Sequence, residues 1–415
     1  MSLHTLNEVY GGAAQQQTKR YRQAIENFEA IFGEEENLRF FSAPGRSEVC
    51  GNHTDHNCGK VMAAGVSLDV IAVVVPTDDN IILVKSEGFE ADNVSLDDLS
   101  VCEEEKNTSA SLIRGVAAGF ERNGFKIGGF KAYTTSNVLK GSGLSSSAAF
   151  EVLIGSILNG LYNGGAVDDV KIAQIAQFAE NEYFGKPSGL MDQMASSVGS
   201  FITIDFEDTA NPAIEAIDVD FTKYGYSLCI VDTKGSHADL TPEYAAIPKE
   251  MKSVAKLFGK TTLREITKTQ LLQKIDKVRE ACGDRAVLRA LHFFDDNKRV
   301  VKEAQALKDG DINTFLSLVN ESGNSSYCYL QNIFACSQPE NQGLSLALYT
   351  AKSILKGEGA CRVHGGGFAG TIQAFVPDSK LDEFTNAMEN LFGDGSCYVL
   401  SVRGIGGTEV AVDDE

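Results

Sequence analysis

Residues 140–161 read KGSGLSSSAAFEVLIGSILNGL, a Gly/Ser loop running directly into a helix. Phe150, Leu153, Ile154, Ile157, Leu158 and Leu161 fall at offsets of 0, 3, 4, 7, 8 and 11, one stripe of an α-helix. Glycine lets the loop turn tightly and approach a ligand with no Cβ in the way. The following helix offers unpaired N–H groups and the positive end of its dipole. Such a loop suits a polyphosphate, and serine hydroxyls can add hydrogen bonds or hold Mg²⁺. It is not a Walker A loop, because G-x-x-x-x-G-K-[ST] is absent. A Ser/Gly turn that merely caps a helix has the same letters, so both readings stand at this point.

Strand-like and helix-like runs surround this stretch. Upstream, Tyr21, Ala24, Phe28 and Ile31 recur at helical spacing within a polar segment. VMAAGVSLDVIAVVVP from Val61 is rich in β-branched residues and predicts one or two strands. IILVKS at 81–86 and Gly124 to Thr135 predict further strands, with a helix over Ser111 to Phe120 between them. Downstream, Val170 to Glu182 is helical, and SFITIDF (200–206) and YSLCIVDT (226–233) are strands. Asn211-Pro212 between those two strands marks the expected boundary of two domains, 1–210 and 211–415. Residues 243–320 are helical and charged, and residues 361–377 form a strand, a glycine turn and a strand. The acidic tail GTEVAVDDE is expected to fray.

Composition excludes several classes. The chain has 415 residues, 43% hydrophobic and 23% charged, ordinary values for a globular protein with ample core. Lys and Arg number 37 against 57 Asp and Glu, so the net charge of −20 disfavours nucleic acid and anionic membrane as partners. No apolar run approaches the ~20 residues of a membrane span. The N-terminus, MSLHTLNEVYGG, lacks the pattern of a signal peptide. Nine scattered cysteines without a Cys-x-x-Cys pair fit a reducing cytoplasm.

Two more segments carry candidate chemistry. Gly45-Arg46 through Gly51-Asn52-His53-Thr54-Asp55-His56-Asn57 crowds polar groups beside strand-like sequence. Arg46 suits phosphoryl charge and Asp55 suits sugar hydroxyls. His53 and His56 alone are weak grounds for zinc, and an Asx-type turn also accounts for the segment. In ENEYFGKPSGLMDQ (180–193), Asp192 follows a glycine turn and reads as a base, an electrostatic anchor or a helix N-cap. His364-Gly365-Gly366-Gly367-Phe368-Ala369-Gly370 reads alone as a hairpin turn.

Taken in order, these motifs resemble the galactokinase branch of the GHMP small-molecule kinases. GRSEVCGNHTDHNCGKVM is similar to G-R-x-N-x-I-G-E-H-x-D-Y-N-x-G, and KGSGLSSSAAFEVL to the G-x-G-L-S-S-S-A-A loop. SGLMDQMAS is similar to G-I-M-D-Q, and RVHGGGFAGTIQAFV to G-x-G-F-G-G. The resemblance implies an α+β fold with an N-terminal domain like the second domain of ribosomal protein S5 and a ferredoxin-like C-terminal domain. It places the active site in the cleft between them. The implied reaction moves the ATP γ-phosphoryl group to the anomeric hydroxyl of a sugar, with galactose the first choice. N-acetylgalactosamine, arabinose, or an inactive ATP- and sugar-binding sensor are the alternatives.

The resemblance also implies residue roles. Asp192 is the catalytic aspartate and Arg46 steadies it. Glu180 and Ser147 are Mg²⁺ ligands. Gly141, Ser142, Gly143, Leu144, Ser145, Ser146 and Ser147 cradle the ATP phosphates. Asn52, His53, Asp55, Gly189 and Tyr244 meet the sugar. A monomer is expected. Asn52 stands where the family has glutamate, Glu48 where it has asparagine and His56 where it has tyrosine. Glu48, four residues from Asn52 and ~13 Å away along an extended strand, is expected to be too far to stand in for it. Weaker discrimination at C6 of the sugar follows from that reading.

Overall fold

The computed structural model describes residues 3–138, 144–186, 188–219, 221–236 and 239–412. The first part of the chain contains β1 (Leu3–Thr5), α1 (Leu6–Tyr10), α2 (Ala14–Phe32), β2 (Arg39–Cys50), β3 (Lys60–Pro76), β4 (Ile81–Ser86), β5 (Ala91–Ser95), α3 (Ser109–Arg122), β6 (Phe130–Ser136) and α4 (Ser146–Asn163). The middle contains α5 (Asp169–Phe178), α6 (Met191–Val198), β7 (Phe201–Asp205), β8 (Ala213–Ile217) and β9 (Tyr226–Asp232). A helical stretch follows, α7 (Thr241–Leu257), α8 (Lys268–Gln273), α9 (Ile275–Cys282), α10 (Asp284–Lys308), α11 (Ile312–Ser325) and α12 (Gly343–Leu355). The chain closes with β10 (Ala360–His364), β11 (Thr371–Pro377), α13 (Leu381–Phe392), β12 (Cys397–Leu400) and β13 (Thr408–Ala411).

Two sheets organise these elements. The larger runs β1-β13-β2-β3-β6-β4-β5, with β7 also on β3 and β8 on β7. The smaller runs β10-β11-β9-β12. β3 is a single long strand that serves two neighbours on one edge. Its first part, Lys60 to Ala64, pairs with β7, and its last part, Val70 to Pro76, pairs with β6. Its other edge pairs with β2, where the register shifts between Pro44 and Arg46 and again between Glu48 and Cys50. Those irregularities bend β2 near its end and bring the following turn back on itself.

α4 forms where its apolar stripe predicts. Leu153, Ile154, Ile157 and Leu158 are fully buried, while Phe150 and Leu161 sit at the margin of the same core. Each fully buried side chain of this size contributes roughly 1.5–3 kcal/mol. α4 packs on β2, β3, α5 and α6, so this one helix supports the strand that carries Arg46 and the helix that carries Asp192. The same core continues into the smaller sheet through Phe201, Phe221, Phe315 and Phe375, whose neighbouring rings lie 5.0–6.1 Å apart. Among the described residues no helix is long and apolar enough to cross a membrane.

Two expectations change. The division at 210/211 does not follow the sheets. β8 folds back on β7 as a hairpin, with Asn211-Pro212 in its loop, so residues 213–217 stay with the larger sheet. The tail does not fray from Gly407. Residues 408–411 form β13, which lies between β1 and β2 and buries Val410. Its partners come from the other end of the chain, so no local pattern announces it.

A charged knot fastens the two ends of the chain to the sheet. Asp69, fully buried, accepts hydrogen bonds from Tyr10, Ser42, Arg20 and Arg403. Burial opposes its charge, but Arg20 and Arg403 outweigh burial and hold its carboxyl below the usual range. Its contribution is therefore present above the unfolded pKa of about 3.9 and is lost as pH falls through the lower folded value. Asp69→Ala strands two arginines and is expected to cost about 3–5 kcal/mol in urea unfolding at neutral pH. The deficit against wild type should shrink in acid. A loss under about 1 kcal/mol would show that the knot does not hold the ends.

Candidate active site

The phosphate loop and the predicted catalytic aspartate meet at the start of two helices. Residues 139–143 lie outside the described residues, so Gly141, Ser142 and Gly143 are not placed. Leu144 is buried, and its carbonyl accepts a hydrogen bond from the Arg46 N–H at 3.1 Å, which ties the loop to β2. Ser145 sits at the N-cap of α4 with φ +56°, a left-handed conformation uncommon for a residue with a Cβ. Its hydroxyl does not cap the helix and instead donates to Asp192. Strain of this kind is found where surrounding structure holds a functional group in place. Ser146 opens α4, and Ser147 Oγ donates to Glu180 Oε1 at 2.9 Å.

Asp192 lies in the first turn of α6, one residue past the helix start, so it is not the N-cap. Arg46 grips it through two bonds of 2.7 Å, Nε to Oδ1 and a terminal nitrogen to Oδ2. Burial disfavours the carboxylate, yet Arg46, together with the Ser145 hydroxyl, holds it below the usual carboxylate range. Arg46 is correspondingly raised: burial works against its charge and Asp192 prevails. The pair is ionised on both sides.

Glu180 reaches the loop by an unusual backbone route. The helix expected over 170–182 stops at Phe178, and Ala179–Phe184 continues as a π-helical turn. Such turns often occur at functional sites, and no letter pattern predicts them. Glu180 is buried and accepts from Ser147, from Lys186 Nζ at 2.7 Å and from Gln193 Nε2 at 2.8 Å. Gln193 also donates to Glu151, a buried carboxyl pushed well up by burial and by Glu180. One carboxylate and one hydroxyl thus converge beside the loop. Both are hard oxygen donors of the kind Mg²⁺ takes while keeping waters and phosphate oxygens. Among the described residues no three His, Cys, Asp or Glu side chains converge as a metal cluster.

A second cluster gathers around the turn after β2. Gly51 makes that turn with φ +88°, and a Cβ there would stand 2.3 Å from the Lys60 carbonyl oxygen. Asp296 of α10 accepts from the Gly51 and Asn52 N–H groups at 3.1 Å each, and His292 bonds the Asn52 carbonyl at 2.9 Å. α10 therefore clamps the turn from below. His53 donates through Nε2 to the Gly366 carbonyl at 2.9 Å. Burial and the neighbouring His56 push the His53 ring down to about 4, so it is neutral at pH 7. Asp55 faces Gly189 so closely that a Cβ there would meet its Oδ2 at 2.6 Å. The Tyr244 hydroxyl donates to the Gly367 carbonyl at 2.7 Å. Thus His53 and Tyr244 meet the 365–367 turn, and Asp55 meets Gly189. The turn read alone as a hairpin is a hub of this cluster.

Asn52 needs correction. It is fully buried and its polar atoms are engaged by protein. Nδ2 donates to Glu48 Oε1 at 2.8 Å and to the Gly365 carbonyl at 2.7 Å. Oδ1 accepts from Asn332 at 2.7 Å and Ser326 at 3.3 Å. Two donor and two acceptor positions exhaust an amide, so none remains for a sugar hydroxyl. The expected ~13 Å gap to Glu48 is also wrong, because the shifted register and the Gly51 turn fold the segment back. Glu48 in turn pairs with the buried Arg362 at 3.0 Å, while burial pushes its carboxyl up to about 7 against the pull of Arg362 and Arg46. Arg362, Asn332, His292 and Asp296 shape the site and were not singled out by the motifs. Their contribution depends on contacts between residues hundreds apart in the chain. In Asn52→Glu two carboxyl groups compete for one buried place, which should cost about 2–4 kcal/mol of stability. Adding Glu48→Asn should restore part of that loss, a coupling of about 1–3 kcal/mol in a double-mutant cycle. Strict additivity would contradict the contact.

Comparison with known proteins agrees with this geometry. Residues 111–200 match the GHMP kinases N terminal domain, and residues 26–76 match the galactokinase galactose-binding signature. A galactokinase of Streptomyces coelicolor is 31% identical over 88% of this chain and 92% of its own length. A galactokinase of Lactobacillus helveticus is 30% identical over 91% and 96%. The crystal structure of Lactococcus lactis galactokinase complexed with galactose superposes with a TM-score of 0.78, covering 94% of this chain and 99% of that one at 24% identity. With the four ordered motifs, the α+β fold and identity of this extent, the chain belongs to the galactokinase family of GHMP kinases.

Proposed function

We propose that this protein transfers the γ-phosphoryl group of ATP to the anomeric hydroxyl of galactose, giving galactose 1-phosphate and ADP. The observation that carries the reading is the ionised Asp192, held by Arg46 and Ser145 at the mouth of the Gly/Ser loop. Asp192 receives the hydrogen bond of the attacking hydroxyl. A carboxylate this acidic is a poor base for a free hydroxyl. It suits a loose transition state, in which the nucleophile is aligned first and its proton leaves late. Arg46 keeps Asp192 charged and adds positive charge beside the phosphoryl group in transit.

Leu144 to Ser147 cradle the phosphates, with the α4 N–H groups facing them. Ser147 and Glu180 would hold Mg²⁺. When bound, that ion neutralises phosphate charge. His53, Asp55, Gly189 and Tyr244 meet the sugar, and a neutral His53 presents no charge to it. The nine free thiols fit a cytoplasmic enzyme.

The test is ATP consumption across a panel of aldoses, with the product identified by phosphorus NMR. Galactose should give the highest kcat/KM and a phosphate on C1. ATP use that no sugar stimulates would contradict the proposal. Another aldose in first place would keep the chemistry and change the substrate. Asp192→Asn should lower kcat by about 100-fold or more with KM for sugar little changed, since the lost anion acts mainly in the transition state. A near-normal kcat in that variant would remove Asp192 from the mechanism.

A further inference from the structure

Lys186 lies beside the proposed metal ligands with no role yet assigned to it. It follows Gly185, which ends the π turn carrying Glu180 with φ +89°. Its side chain is 54% exposed, whereas that of Glu180 is 2% exposed. A long side chain therefore reaches in from solvent to place its ammonium on a buried carboxylate. The contact is 2.7 Å to Oε1, the same oxygen that accepts from Ser147 at 2.9 Å. The field of Lys186 also reaches Asp192, where it favours the carboxylate.

This ammonium and a divalent cation cannot share one site. Oε1 has two lone pairs, and Ser147 and Lys186 now engage both. A cation held by Glu180 and Ser147 would compete with the ammonium for Oε1. The displaced lysine then stands close to Ser147, where the loop enters α4. Among the described residues, Arg46 is engaged by Asp192 through two bonds and Arg362 by Glu48 in the interior. A lysine on a flexible stem is a point charge suited to phosphate. An ion pair exposed on one side holds weakly, so little opposes its release.

Resting on the nucleotide reading above, we propose that Lys186 is a phosphate ligand of this enzyme. It is parked on Glu180 before nucleotide arrives, and it transfers to the terminal phosphates when the metal and nucleotide enter.

Calorimetry on the full chain tests this with binding rather than activity. In saturating Mg²⁺, Lys186→Met should bind ADP about tenfold more weakly than wild type. AMP, which lacks the terminal phosphate, should bind the two proteins alike. Mg²⁺ titrated into nucleotide-free protein should bind Lys186→Met more tightly, because its competitor is gone. Lys186→Arg should keep most of the ADP affinity. The opposite signs for ADP and Mg²⁺ separate a phosphate ligand from a support for Glu180. Unchanged ADP affinity in Lys186→Met, or a parallel loss of ADP and Mg²⁺ affinity, would overturn the proposal. Wild-type protein that binds neither ADP nor ATP would instead overturn the nucleotide reading, and this inference with it.

Discussion

Arg46 and Asp192 stand 146 residues apart in the chain and meet through two hydrogen bonds of 2.7 Å. Burial works against the charge of each side chain, and each supplies the opposite charge that outweighs it. Removing one partner of such a pair typically costs about 3–5 kcal/mol, because the other is left buried and uncompensated. The pair therefore demands that the end of β2 and the start of α6 lie side by side, and α4 packs against both. Ser145 completes the demand from the third side, with its strained backbone turning its hydroxyl onto Asp192. The geometry of the proposed catalytic pair and local folding are here one constraint.

The rest of the site is built as layers behind that pair. Ser147, Glu180, Gln193 and Glu151 form one chain of hydrogen bonds that runs from the loop into the core. Asp296 and His292 form a second support, holding the 51–52 turn from α10. Glu48 and Asn52 form a third, joined to each other and to Arg362. The polar groups proposed to face ligand are backed by buried groups that fix their direction. Such backing is what lets a site align a hydroxyl and a phosphate without rearranging at each turnover.

What was legible in the sequence were features with a local period or a local turn. The stripe of α4, the apolar run of β3 and the paired strands around the 365–370 turn all carry their patterns in a few residues. The four motifs located Arg46, Ser147, Glu180 and Asp192, and the fold brings them together. Features that depend on long-range contact were not legible. β13 is a strand because β1 and β2 flank it, not because of its own acidic letters. The π turn under Glu180 has no sequence period of its own. Asn52 was misjudged because a straight strand was assumed where a shifted register and a left-handed glycine fold the chain back. Once folded back, the exchanged acid and amide at 48 and 52 share one hydrogen bond, so the carboxyl has moved to the other end of a contact rather than left the site.

The central claim is that Arg46 keeps Asp192 a carboxylate inside the protein, and the ionisation of that one group tests it most directly. Carbon-13 NMR of aspartate-labelled enzyme, with the Asp192 signal assigned by its loss in Asp192→Asn, follows the titration without relying on turnover. In wild type the signal should remain that of a carboxylate to below pH ~4, the ordinary aspartate value. In Arg46→Gln burial is opposed only by Ser145 and the more distant Lys186, and the titration should move upward from its wild-type position. An Asp192 signal that titrates at the same pH in both proteins would contradict the account.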